Sequence, residues 1–153
     1  MVLPFVSPLE QEMIMKVLVA GLFGLLIGLE RKGGEKGAGM RTFSLICMGS
    51  ALLAVLSVWG FPGPQETSRL AAQIVVGIGF IGAGVIWRQR EEAIHGITTA
   101  AAIWVAAAVG IAVGLGFFIL GFIVAFFTMI VLSRGHLMRG LKENLPSELK
   151  PGL

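Results

Sequence analysis

Charged residues cut this chain into long apolar runs, and the lengths of the runs carry the first structural information. A helix crossing about 30 Å of hydrocarbon at 1.5 Å per residue needs about 20 residues. Three runs come close to that length, over residues 13–29, 42–59 and 70–87, the first with Lys16 near its start. A fourth, from Ile94 to Ser133, holds no Asp, Glu, Lys or Arg. As one helix it would reach about 60 Å, roughly twice the bilayer core, so it must turn back. The turn falls best at Gly114-Leu115-Gly116, because glycine accepts left-handed backbone without a side-chain clash. The pattern predicts an all-α fold, a polytopic membrane protein with a bundle of five transmembrane helices over residues 13–29, 42–59, 70–87, 94–113 and 117–133.

Composition supports that reading. Of the 153 residues, 56% are hydrophobic and 14% charged, the mean hydropathy is +0.87 and 22 are glycine. Ordinary soluble domains carry about a quarter charged residues, and this much apolar surface is hidden only in lipid. The balance excludes a disulfide scaffold, a disordered tail and most small cytosolic enzymes. The single Cys47 has no intrachain disulfide partner, and His95 and His136 stand apart without zinc-ligand spacing, so no metal or cofactor is expected. The net charge of +3 is scattered between apolar runs without interleaved aromatics, which suits a membrane surface and not a nucleic acid.

Basic residues are retained on the cytoplasmic side, so their distribution sets the orientation. With the N-terminus outside, Arg31, Lys32, Lys36, Arg41, Arg88, Arg90, Arg134, Arg139, Lys142 and Lys150 lie inside, against Lys16 and Arg69 outside. Trp59, Trp87, Phe117 and Phe118 then fall near the interfaces, where aromatic rings favour the headgroup layer. The whole of 1–153 reads as a single transmembrane domain. Met1 to Pro8 has no basic region and no small-residue cleavage site follows the first span, so a signal peptide is not expected. Residues 134–153 read as a short cytoplasmic tail, amphipathic or frayed, with Pro146 and Pro151 opposing a long helix and no C-terminal soluble domain.

Sorted by membrane face, the polar residues converge. Glu30 and Arg31 end the first span, Arg41 and Thr42 open the second, Arg88 closes the third, and His95, Thr98 and Thr99 open the fourth, all at the cytoplasmic edge. Taken singly, such residues cap helices and snorkel. Taken together, Glu30, Arg31, Arg41, Thr42, Arg88, Thr98 and Thr99 form a candidate functional cluster. Glu30 is its only acid, and a salt bridge to Arg41 or Arg88 is the expected state of a carboxylate in a partly desolvated layer. Arg69 and Gln73 are the polar residues placed within the opposite half of the third span.

Glycine placement is the second pattern, because lipid gives no hydrophobic drive between helices and close backbone approach supplies dispersion contact instead. Gly21, Gly24 and Gly28 make one smooth face on the first span. On the third, Arg69, Gln73, Gly77 and Gly84 share an arc of about 80° while Gly79 and Gly82 face elsewhere, so both faces are expected in tight contact. Thr99, Ala102 and Ala106 add a stripe of small residues on the fourth span. The surplus of smooth faces points to self-association, a dimer being the simplest form.

Two motifs mislead. Gly77-Ile78-Gly79-Phe80-Ile81-Gly82 matches G-x-G-x-x-G, but a dinucleotide loop needs a preceding strand and a ribose-binding acid about 20 residues on, neither of which a lipid-length apolar run supplies. Gly33-Gly34-Glu35-Lys36-Gly37 lacks the P-loop spacing and the Ser or Thr after Lys.

The segments GLERKGGEKGAGMRT (28–42), RLAAQIVVGIGFIGAGVIW (69–87) and GITTAAAIWVAAAVGIAVGLG (96–116) together resemble the MgtC/SapB family of bacterial inner-membrane proteins. The resemblance implies an inner-membrane location and a link to growth under magnesium limitation and, in some pathogens, to survival inside macrophages. It also implies regulatory action on membrane protein partners, ATP synthase among them, with Mg²⁺ transport not established as the family's activity. Longer members carry a cytoplasmic C-terminal domain, whereas this chain runs about 20 residues past its last span. The acid and proline expected just before the third span are replaced here by Pro64-Gln65-Glu66-Thr67-Ser68.

Three functions remain to be weighed. The favoured one is a non-enzymatic membrane regulator acting through helix contacts and its inner polar face. The alternative is a small oligomeric channel or transporter, with Mg²⁺ as a candidate cargo, in which Glu30, Gln73 and Thr99 face a water-filled path. Mg²⁺ keeps its water reluctantly exchanged and prefers carboxylates, and no acid lies deep in a span. An intramembrane enzyme would have only Cys47, His95, Ser44 and Ser50 to use, with no base in sequence reach of the second-span residues.

The orientation is testable in a Cys47-free background. Single cysteines at Gly34 and Lys150 should label only from the cytoplasm and one at Gln65 only from outside. Labelling of position 65 from the cytoplasm would overturn the assignment.

Overall fold

A computed structural model describes residues 6–31, 37–60, 64–88 and 94–143, with backbone alone for 64–68, 87–88 and 134–143. Over these residues the chain forms five α-helices and one short ribbon. They are α1 (Pro8–Gly28), α2 (Met40–Trp59), α3 (Pro64–Val85), α4 (Ile97–Gly114) and α5 (Phe118–Glu143). A 3₁₀ turn, Leu29–Arg31, extends α1. Among the residues with described side chains, three helices are long and apolar enough to cross a membrane, namely 8–31, 40–59 and 97–114, while the corresponding parts of α3 and α5, Arg69–Val85 and Phe118–Ser133, are shorter apolar stretches.

Local chemistry explains the helix ends. Ser7 and Glu10 form a capping box in which the Ser7 hydroxyl accepts from the Glu10 amide at 3.2 Å and the Glu10 carboxylate accepts from the Ser7 amide at 2.9 Å. Pro8 follows at the first helical position, where its missing N–H costs nothing. This cap starts α1 before the apolar run begins at Met13. Gly116, at φ 94°, makes the turn between α4 and α5 in the expected place.

Two expectations need correction. The third span does not run to Trp87, nor does the fourth begin at Ile94, because Trp87–Arg88 and Ile94–His95 pair as an antiparallel ribbon, β1 with β2. Gly96, at φ 89°, then turns the chain into α4, and it lies so close to the Val85 carbonyl that a Cβ would overlap it. Apolar periodicity carries no sign of a two-residue ribbon. The second correction concerns the tail, since α5 continues without interruption past Ser133 to Glu143. Pro146 and Pro151 lie outside the described residues.

The core is built on backbone contact. At Gly24 a Cβ would strike the Phe43 carbonyl oxygen and come within 2.6 Å of the Ser44 Cα, and at Gly28 it would strike the Met40 Cα. On the other side of α2, Gly110 and Gly114 of α4 meet the backbone of Cys47 and Ala51 in the same way. Thus α2 is held between α1 and α4. Phe43, Cys47, Ile103, Val109 and Val113 are buried there, and Cys47 Sγ donates to the Ala106 carbonyl at 3.1 Å while Ser44 Oγ donates to the Gly21 carbonyl at 3.1 Å. Helix α5 packs outside α1 and α4, with Gly121 against Val113 and Phe23, and Phe23 tilted against Phe122 at 5.8 Å between ring centroids.

Helix α3 is different. It touches α4 where Gly82 faces Ala100, but Gly77, Gly79 and Gly84 have nothing within 4 Å of a built Cβ. The expectation of tight contact on both faces of the third span is therefore not met within one chain. Phe80 stands 86% exposed on the same helix, alongside Val76.

Candidate functional site at the ends of helices 1 and 4

The end of α1 delivers two charged side chains inward. After Gly28, pressed against Met40, the chain tightens into the 3₁₀ turn, where Glu30 and Arg31 lie with side chains only 7% exposed each. Arg31 Nε lies 3.6 Å from Glu30 Oε2, an ion pair slightly longer than a hydrogen bond. Arg31 Nη1 donates to Thr99 Oγ1 at 3.3 Å. Thr99 is itself buried, in the first turn of α4 just after the left-handed Gly96. One guanidinium therefore ties residues 68 positions apart and fixes the end of α1 to the start of α4.

The cluster expected from sequence is only partly assembled. Glu30, Arg31 and Thr99 meet. Glu30 pairs with Arg31, its neighbour in sequence, and not with Arg41, which is exposed in the first turn of α2. Thr98 is exposed as well, and the side chain of Arg88 lies outside the described residues. The 3₁₀ turn does not itself bring the two side chains together, since its successive residues stand about 120° apart against about 100° in an α-helix; both are buried because α4 and α5 pack against this turn. Arg69 and Gln73 are exposed on α3.

Thr42 and Gln73 belong to a second feature, an open groove of about 630 Å³ between α2 and α3. Its lining is mostly Leu, Ile and Gly, with Thr42, Ser50 and Gln73 as the polar members. The groove exists because α3 leans on α4 and leaves Gly49 of α2 and Gly77 of α3 without neighbours. A glycine-rich face reads from sequence as a packing face, so only the structure separates Gly24 from Gly77. Sequence reasoning also underrated Lys16, which is buried with its ammonium 2.6 Å from Glu12 one helical turn earlier. Its signal was a lone cation inside an apolar run. Among the described residues no group of three or more His, Cys, Asp or Glu is placed to hold a metal ion.

Apolar helices with lipid-length runs, glycine contacts and a buried charge latch at one end define a small helical membrane protein. The chain belongs to the MgtC family, which it matches over residues 17–140. It is 44% identical over 132 residues to YhiD of Escherichia coli K12, whose name provisionally assigns it as a magnesium transporter; the match covers 82% of this chain and 61% of YhiD. It is 40% identical over 117 residues to SapB of Bacillus subtilis, covering 72% of this chain and 50% of that protein. With MgtC of Salmonella typhimurium it shares 44% identity over 105 residues, 69% of this chain and 44% of that protein. The chain thus spans about half the length of these relatives. No solved structure matches it.

Arg31→Ala removes one ion-pair partner of the buried Glu30 carboxylate together with the bond to Thr99, so it should lower stability by about 1 to 3 kcal/mol. Thr99→Val, which deletes an acceptor for a charged donor, should cost about 1 to 3 kcal/mol. Thermal melting of the purified chain in detergent reads both, and an unchanged melt for Arg31→Ala would show that the latch does not hold the helices.

Proposed function

We propose that this chain is a non-enzymatic regulator of the bacterial inner membrane that acts on membrane protein partners during magnesium limitation. In this reading all five helices span the bilayer, with the N-terminus outside, the C-terminus in the cytoplasm and the chain self-associated as a dimer. The observation that carries it is the use made of the charges at the cytoplasmic edge. Glu30 and Arg31 are buried against each other, and Arg31 against Thr99, where they set the relation of α1 to α4 and turn the Glu30 carboxylate inward. Exposed Thr98 sits beside the latch, so a partner docking there would feel any shift between the two helices. Membership of the MgtC family supports the link to magnesium.

A transporter is the second reading, favoured by the name given to YhiD and by the polar Thr42, Ser50 and Gln73 in the α2–α3 groove. Mg²⁺ holds its waters tightly and is met by carboxylates, and three neutral side chains among Leu and Ile supply little of that.

Two measurements on the full chain separate the readings. Liposomes containing only the purified chain and an internal Mg²⁺ indicator should show no influx above empty liposomes. In cells lacking the endogenous relative, the chain should restore growth in low magnesium, and Thr98→Arg should abolish that rescue at normal protein level. Saturable Mg²⁺ influx into the liposomes would overturn the regulator reading in favour of transport.

A further inference from the structure

One face of α3 carries a polar group without an answer and glycines without a neighbour. Gln73 lies four residues into the apolar run that follows Arg69, and its exposed amide makes no hydrogen bond among the described residues. Hydrocarbon offers an amide neither donor nor acceptor, so leaving it bare there is costly. At 100° per residue Gln73, Gly77 and Gly84 share one narrow arc, spread over about 16 Å of helix. A Cβ built at Gly77 or Gly84 meets nothing within 4 Å, whereas one at Gly24, Gly28, Gly110 or Gly114 strikes a neighbouring backbone. Glycine weakens a helix unless close packing makes use of it. Gly49 of α2, which lines the open groove together with Gln73 and Gly77, is unfilled as well.

The geometry points to a second copy of this chain as the partner of this face, with α3 against α3 across a two-fold axis along the membrane normal. Depth and the chemistry of the amide select that partner. Copies of one sequence insert in one orientation, so such an axis makes the two α3 helices parallel and sets each residue opposite its own counterpart. A primary amide is donor and acceptor at once, so two Gln73 side chains at one depth satisfy each other, whereas an apolar partner leaves the amide bare. Gly77 and Gly84 then let the two backbones approach as Gly24 and Gly28 let α1 approach α2. The opening at Gly49 leaves room beside α2 for the incoming helix. Arg69, on the same arc one turn nearer the helix end, reaches the water layer, where salt screens the like charge of its counterpart. The inference deepens the proposed self-association and rests on it, and on α3 spanning the bilayer, but not on the regulatory role.

The test is energy transfer between copies of the full chain labelled at the amino terminus, in liposomes of phosphatidylethanolamine and phosphatidylglycerol over a range of protein-to-lipid ratios. The parent should associate. Gln73→Leu should weaken association about three-fold or more, the effect of losing a hydrogen bond between membrane helices. Gly77→Leu should abolish it, and Gly79→Leu, on another arc of α3, should match the parent. Circular dichroism should give all three variants the parent's helix content. In a Cys47→Ser chain, which keeps a donor for the Ala106 carbonyl, Gly77→Cys and Gly84→Cys should oxidise to covalent dimers in the membrane and Gly79→Cys should not. Association unchanged in both Gln73→Leu and Gly77→Leu would overturn this interface and leave self-association standing, as would cross-linking at position 79 and not at 77. A parent that stays monomeric at every ratio would overturn both. The cysteine variants add little bulk, so they decide the outcome should Gly77→Leu unfold.

Discussion

The packing of α1, α2 and α4 depends on how closely α2 can approach its two neighbours at the level of backbone. In lipid, apolar side chains gain nothing by leaving hydrocarbon for one another, so helix association rests on dispersion at short range and on a few hydrogen bonds. Gly24 and Gly28 on one side, and Gly110 and Gly114 on the other, remove the side chains that would hold the helices apart. The approach then brings the hydroxyl of Ser44 to the Gly21 carbonyl and the thiol of Cys47 to the Ala106 carbonyl, adding bonds that need that proximity. It also places the end of α1 beside the start of α4. Without the glycine contacts, Arg31 could not reach Thr99.

The latch and the glycine core play different parts. The core sets distance and is indifferent to charge. The latch sets relative orientation at one end and is sensitive to anything that competes for Glu30, Arg31 or Thr99, because buried ions lose several kcal/mol of hydration and are held only by their partners. By contrast α3, leaning on α4 through Gly82 and Ala100, is open towards α2 along a groove.

Much of this was legible in the residues. Apolar runs located the five helices of the described residues, and the Gly114–Gly116 break followed from run length together with the two glycines. Family membership followed from three Gly- and Ala-rich segments. The convergence of Glu30, Arg31 and Thr99 was also readable, because residues at the same membrane depth must share one layer. What could not be read was rotation. Hydropathy fixes the depth of a residue but not the direction it faces, so it does not foretell that Glu30 lies against Arg31, its neighbour in sequence, while Arg41 stands exposed. For the same reason Gly24 and Gly79 were indistinguishable, although one is pressed on a neighbouring backbone and the other stands in the open. The ribbon of residues 87–88 and 94–95 left no trace because it depends on a single left-handed glycine, Gly96, at the helix start.

The central claim is that backbone contact at selected glycines, and not glycine content in general, holds the bundle together. The most direct measurement compares Gly110→Leu with Gly79→Leu, each purified in the same detergent and melted beside the parent. Gly110→Leu should lose at least about 1 to 3 kcal/mol, the usual cost of overpacking a filled core, while Gly79→Leu should melt with the parent or above it. Equal loss in both variants, or an unperturbed Gly110→Leu, would contradict the account.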